Sequence, residues 1–320
     1  MTLAASMQSL VQEYLNERRS LGFALGISGR QLMAFARFAD QFGHCGPLTS
    51  DIILAWARGQ ATRSTPITWA RRLEVVRPFA KYRARIEAGT EIPAADIFGR
   101  AHRRLTPHIY TETEITDLVA AAGQLSPQDT LRPATYETLF GLIAATGLRL
   151  SEALHLRCSA VDLDQNQLTV RCTKFRKSRL LPLHSTVTAA LGRYVEVRQR
   201  YVVANPDAFF FVSPSGAALK DRTVHHVFEG LRTTLGWTAR GTHPAPRIHD
   251  LRHTFICRRV LLWQEQGADI DNAMLALTTY VGHTKVSDTY WYLSGVPELM
   301  AAAGRHFEQF ASDLGENGHG

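Results

Sequence analysis

The sequence predicts a mainly α-helical protein carrying one small antiparallel β-sheet, divided between two domains. Three observations predict it. Apolar residues recur at helical spacing through most of the 320 residues. Strand-like text with tight turns is concentrated in one stretch, 161–183. The surplus positive charge sits in the first third: 15 Lys/Arg face 8 Asp/Glu up to residue 108, and 21 face 21 beyond it. A chain of this length exceeds the usual size of one domain.

The first third reads as four helices. Leu10, Val11, Tyr14 and Leu15 give the first its apolar face, within 3–19. Ser28 is expected to cap a second, with Leu32, Phe35, Ala36 and Phe38 pointing inward. Thr49-Ser50-Asp51 opens a third that runs through Ile52, Ile53 and Trp56 to about Arg58. A fourth, 66–86, begins with Pro66 in its first turn and carries six Lys/Arg, with Pro78 as an expected kink. These residues form a helical domain over 1–88. Residues 89–108, rich in Gly, Pro and basic residues, read as a linker.

The second domain, 109–314, opens with the capping-box pair Thr111 and Glu114. A helix across 134–145 stops at Gly147. Then come a strand at VDLD, a turn near Gln165-Asn166, a strand at QLTVRCT, a basic turn, and a strand at RLLPL. Helix follows over 186–201, and a short apolar strand over 209–212. The remainder is helical with breaks at Pro244–Pro246, Gly267 and Gly282. Residues 315–320 read as a disordered tail.

The sequence offers neither a long apolar run for a membrane helix nor the apolar core of a signal peptide. Four scattered cysteines without a C-x-x-C read as reduced thiols of a cytoplasmic protein. Dinucleotide- and triphosphate-binding glycine patterns are missing from the text. The basic first third instead points to a phosphate-backbone partner. Arg71, Arg72 and Lys81 on the fourth helix, Arg103 and Arg104 in the linker, and Arg176 and Lys177 in the basic turn are the expected contacts.

Four clusters carry chemistry. In ATGLRLSEALHL, 145–156, Gly147 ends one helix and Arg149 stands at the mouth of the next, with Glu152 three residues on to orient it. A guanidinium forks two hydrogen bonds onto phosphate oxygens and stays charged. In TKFRKSRLLPL, 173–183, a hairpin tip presents Lys174 and Lys177, either of which can donate a proton to a leaving oxygen. In RIHDLRHTF, 247–255, His249 and Arg252 share a helix face, and His253 and Asp250 are expected to point elsewhere. In YVGHTKVSDTYWYLSG, 280–295, Gly282 precedes His283, and Tyr292 follows nine residues later. Tyr280 and Tyr290 are rivals to Tyr292, although Tyr290 would face another way on a helix. A phenol, with a free pKa of about 10, becomes a useful nucleophile when cations stabilise the charge it passes on. His249 and His253 have the spacing of a metal pair, but no third ligand stands at a telling distance, so zinc is not expected.

Together the motifs G-L-R-x-S-E, a lysine-bearing hairpin, H-x-x-R-H-T-F, and G-H followed by tyrosine resemble the tyrosine recombinase, or phage integrase, family. The resemblance covers about 111–310 in motifs and 1–108 in architecture. It implies a helical core-binding domain that clamps DNA and an α+β catalytic domain of tyrosine recombinase type. It implies that Arg149 and Arg252 bind the phosphate, Lys174 is the general acid, His249 and His283 complete the pocket, and Tyr292 is the nucleophile. Glu152 and His253 would support them from behind. The family's hairpin often has glycine after its lysine; Phe175 stands there here, which keeps Lys177 open as the acid. The resemblance further implies no cofactor or metal, a duplex DNA partner with an inverted-repeat site, and a tetramer on DNA. In that tetramer a C-terminal helix, with Leu299, Met300, Ala303, Phe307 and Phe310 on one face, docks on a neighbour. A DNA-binding accessory protein of the same fold and a relaxing topoisomerase are the alternatives.

Overall fold

The computed structural model describes residues 6–59, 64–102, 105–171, 178–203 and 205–295. Arg103, Arg104, Lys174, Arg176, Lys177, the C-terminal helix and the tail lie outside the described residues. The chain divides into two units between residues 104 and 105.

The first unit holds α1 (Met7–Ser20), α2 (Gly26–Gln41), α3 (Ser50–Arg58) and α4 (Pro66–Arg83). Their apolar faces meet around Val11, Leu15, Phe35, Ile53, Leu73, Val76 and Phe79, all essentially sealed from solvent. Side chains fasten the helix ends. Asp40 accepts from the amides of Met7 (2.7 Å) and Gln8 (3.2 Å), which places a carboxylate on the positive end of α1. Thr65 caps α4, with Pro66 in the first turn as expected.

Ser28 does not cap α2. That helix starts at Gly26, after Leu25 in a left-handed conformation (φ 43°), and no side chain caps it. The turn was made by an apolar residue, so no polar signal marked it.

Residues 91–101 are fastened to this unit. The Glu91 carboxylate accepts from the Ser50 amide (2.6 Å) at the start of α3, Arg77 donates to the Pro93 carbonyl (2.8 Å), and the Phe98 ring meets Trp69 edge-on. Arg71 donates to the Ala101 carbonyl (3.2 Å). Arg72 donates to the Gly59 carbonyl (2.6 Å) and to those of Ala57 and Trp56, closing the C-terminal end of α3. Lys81 is exposed.

The second unit begins with α5 (Glu112–Ala122), α6 (Arg132–Thr146) and α7 (Leu150–Leu154). Thr111 and Glu114 form the expected capping box. Then β1 (Val161–Asp162), β2 (Gln167–Val170) and β3 (Arg179–Pro182) form an antiparallel sheet in that order, with Leu168 opposite Leu181 and Val170 opposite Arg179. The chain continues through α8 (Ser185–Gln199), α9 (Asp221–Thr234), α10 (Ile248–Glu265), α11 (Ile270–Val281) and α12 (Ser287–Gly295). Helix α6 runs through the middle, packing on α5, α8 and α10. Leu139, Phe140 and Ile143 anchor the main core there. A second core joins α10, α11 and α12 through Ile256, Val260, Leu277, Val281 and Tyr292.

Residues 209–212 are not a regular strand. They make only isolated bridges, Arg157 with Phe209 and Val212 with Ala218. Side chains take the place of a neighbouring strand. Arg198 donates to the carbonyls of Phe210 (3.1 Å) and Phe209 (3.2 Å), and Thr135 donates to that of Val212 (3.3 Å). Among the described residues no helix is long and apolar enough to cross a membrane.

Candidate active site

The site grows from three chain breaks. At the first, α6 ends at Gly147, whose φ of 64° is left-handed. A Cβ there would lie 2.5 Å from the Phe255 ring, so only glycine lets α6 pass so close to α10. The freed Gly147 carbonyl accepts from Arg252 (2.7 Å). Two residues on, Arg149 occupies the N-cap of α7. Its amide donates to Glu152 (3.1 Å) and its guanidinium pairs with the same carboxylate (2.8 Å).

The second break is the C-terminal end of α11. Arg252, only 1% exposed, donates to the Val281 carbonyl (2.7 Å). Arg149 donates to the Gly282 carbonyl (2.9 Å) and reaches that of Val281 (3.5 Å). The two guanidinium groups therefore flank a single carbonyl oxygen, at the negative end of the helix. Arg179, at the start of β3, donates to the Tyr280 carbonyl (2.7 Å) and grips Glu152 through two bonds (2.8 and 3.1 Å). Burial alone would raise the Glu152 carboxyl; the hydrogen bonds and charge of Arg179, then those of Arg149, hold it at about 2. Burial first, and Arg149 second, push Arg252 down to about 9, which leaves it charged at neutral pH.

The third break is Gly282 (φ 69°), where a Cβ would meet the Arg179 guanidinium at 2.7 Å. His283 follows directly. Its Nδ1 lies 2.7 Å from the Thr289 hydroxyl, which accepts from that of Thr278 (2.8 Å). With Thr278 donating to Thr289, the Thr289 hydroxyl donates to His283 Nδ1, and a neutral His283 carries its proton on Nε2.

Tyr292 stands on α12, 3% exposed, its ring parallel to that of His283 at 6.5 Å. Its hydroxyl lies 2.5 Å from His253 Nδ1. The His253 ring meets that of His249 edge-on at 4.7 Å. The rivals are held elsewhere: Tyr290 donates to Asp271 (2.7 Å), and Tyr280 stacks on Phe255 with its hydroxyl directed at the Pro182 carbonyl.

His253 corrects the sequence reading, which turned it away. Residues four apart on a helix share a face as well as residues three apart do, so α10 presents His249, Arg252 and His253 together. That i, i+4 spacing was the available signal. Nδ1 of His253 is taken up by Tyr292. Asp250 does point away, buried and paired with Arg247 (2.6 Å). Arg179 went unremarked as a partner of Glu152, because nothing in a run of four cations distinguishes one of them.

All three histidines titrate low. Burial is the first cause at His283, held at about 3, with Arg252 and Arg149 next. Burial also leads at His253, followed by His249, Arg247 and Arg252. Burial is again first at His249, held at about 4, with the charge of Arg252 and Arg247 next.

A model of the phage integrase family matches residues 109–296. The chain belongs to the phage integrase family. A Sinorhizobium fredii protein named integrase/recombinase y4rB is 38% identical over 311 residues, 95% of this chain and 98% of that one. The tyrosine recombinase XerC of Lacticaseibacillus casei is 27% identical over 264 residues, 82% of each chain. Among solved structures, the Tn1549 transposon integrase in complex with transposon right end DNA shares the fold, with a TM-score of 0.65 at 15% identity over 96% of this chain and 100% of that one. The two-unit helical architecture with a small antiparallel sheet is thus that of tyrosine recombinases, and the residues just described lie within the matched span.

The low histidine values carry a stability prediction for this integrase. A folded value depressed below the ordinary 6.5 contributes stability that is complete above about pH 6.5 and drains as pH falls toward 3. The apparent melting temperature of the free protein should therefore fall between about pH 7 and 5, and His283→Asn should flatten that fall. Equal slopes for the variant and the parent would contradict it.

Proposed function

We propose that the chain is a site-specific recombinase that cuts and rejoins duplex DNA through a 3′-phosphotyrosine on Tyr292. One observation carries the reading. The Arg149 and Arg252 guanidinium groups converge on one carbonyl oxygen, and His283 and Tyr292 stand beside them. A scissile phosphate entering there receives the remaining N–H groups of the two guanidinium planes and, from His249 and His283, imidazole contacts.

Tyr292 Oη attacks phosphorus in line, and the bond to the 5′ oxygen breaks. The arginines and histidines stabilise the extra charge of the transition state, in the manner of an oxyanion hole. Lys174 protonates the leaving 5′ oxygen, with Lys177 as the alternative donor. Glu152 keeps Arg149 aimed. The phosphotyrosine conserves the energy of the broken bond, so the hydroxyl of a partner strand reverses the attack without ATP. The cationic ring does the work a metal ion does elsewhere, so cleavage proceeds in chelator.

The partner is duplex DNA with an inverted-repeat site, in keeping with the DNA complex of the similarly folded transposon integrase. The active assembly is a tetramer on that DNA, each 297–311 helix docking on a neighbour. The reaction takes place on DNA in the cytoplasm. A core site selected by the full chain from random-sequence duplex, then nicked as a suicide substrate, tests the reading in excess EDTA. A covalent adduct with the parent and none with Tyr292→Phe is expected. No adduct with the parent, or one that survives the change, would refute it.

A further inference from the structure

Phosphoryl transfer to Tyr292 requires that its phenolic proton leave, and the reading above gives that proton no destination. We propose that His253 is a catalytic residue of this enzyme, the base that takes the Tyr292 proton on cleavage and returns it on religation. The inference rests on the tyrosine recombinase reading and deepens it.

The geometry is direct. His253 Nδ1 lies 2.5 Å from Tyr292 Oη, inside the range for a base and the proton it abstracts. The tyrosine is 3% exposed, so solvent has little access to take the proton instead. His249 is not so placed. Its ring reaches solvent and stands edge-on to His253, and the phenol contact belongs to His253.

The surroundings keep the base ready. Groups from every packed element face it: Arg247 at the N-cap of α10, His249 and Arg252 on α10, His283 before α12, and Tyr292 on α12. Burial first, with the positive charge of Arg247 and Arg252 behind it, keeps His253 neutral in the free protein. Its Nδ1 lone pair is then an acceptor, and the phenol is the donor. A bare imidazole in that field is a weak base. A phosphodiester changes the field. Its negative charge, set between Arg149 and Arg252, offsets the cations and strengthens His253 only when substrate is seated.

The step balances. The Oη–H bond breaks and its proton moves to Nδ1. The Oη–P bond forms as the P–O5′ bond breaks, and O5′ takes a proton from the lysine. Religation runs each transfer backward, so His253 returns its proton to the phenolate.

His253→Asn tests the proposal, because the amide oxygen can accept from the phenol yet cannot take its proton. The probe is the nicked suicide duplex carrying the selected core site, with the full chain. Binding to intact duplex should remain within about threefold of the parent. Adduct formation should slow by about 10²- to 10³-fold. Its rate should rise with hydroxide across the pH range, where the parent reaches a plateau. Religation of preformed adduct by an added 5′-hydroxyl strand should slow in proportion. His253→Ala with added imidazole is the second arm, and partial recovery is expected. Parent-like rates and pH profile in His253→Asn would overturn the proposal while leaving the recombinase reading intact, as would a slow Ala variant that imidazole fails to rescue. An adduct that Tyr292→Phe does not abolish would sink both.

Discussion

Arg252→Lys should fold, bind duplex DNA and cleave it at least about 10²-fold more slowly. Arg252 gives one nitrogen to the Gly147 carbonyl and another to that of Val281, at 2.7 Å each. Those bonds consume part of the fork and fix the plane of the rest, toward Arg149. An ammonium keeps the charge, so the long-range field is preserved. It cannot span both carbonyls and still present a planar face to phosphate. The cost therefore falls on the transition state, and kcat for adduct formation should drop while duplex affinity changes little. A variant of parent activity would mean that charge alone suffices and that the fork is incidental.

Glu152→Ala is expected to damage stability and chemistry together. This carboxylate is the common counter-charge of Arg149 and Arg179, with side chains 6%, 31% and 11% exposed. Its removal leaves both guanidinium groups facing Arg252 uncompensated. Breaking a buried ion pair costs about 3–5 kcal/mol; the partial exposure of Arg149 brings the expectation to roughly 2–3 kcal/mol. In a unit of this size that is a fall in melting temperature of about 4–12 °C. Arg149 also loses the partner that aims it, so adduct formation should fall below detection under conditions where Glu152→Gln retains a trace. An unchanged melting temperature would show that the Arg179–Tyr280 and Arg149–Gly282 bonds hold these side chains without the carboxylate.

Much of this was legible in the chain because the signals were local. The Thr111–Glu114 box, the strands flanking Asn166 and the Arg149–Glu152 pair each depend on residues within a few positions of each other. Tyr292 could be preferred to Tyr290 because two residues along a helix is more than half a turn. Non-local partners were not legible. Arg179 reaches Glu152 across 27 positions, and residues 209–212 find their hydrogen-bond partners in side chains of α6 and α8. The start of α2 was misplaced because Leu25 turns the chain without a polar cap. His253 was misassigned for a different reason: its i, i+4 spacing from His249 was weighed as a metal pair and not as a face shared with His249 and Arg252.

The most direct test is to identify the residue that carries the DNA. The parent enzyme, reacted with the suicide duplex in EDTA, should be digested with protease and nuclease and the adducted peptide sequenced by mass spectrometry. A 3′-linked nucleotide on Tyr292 is expected. A nucleotide on Tyr290 or Tyr280, or a 5′-linked one, would contradict the site built from Arg149, Arg252 and His283.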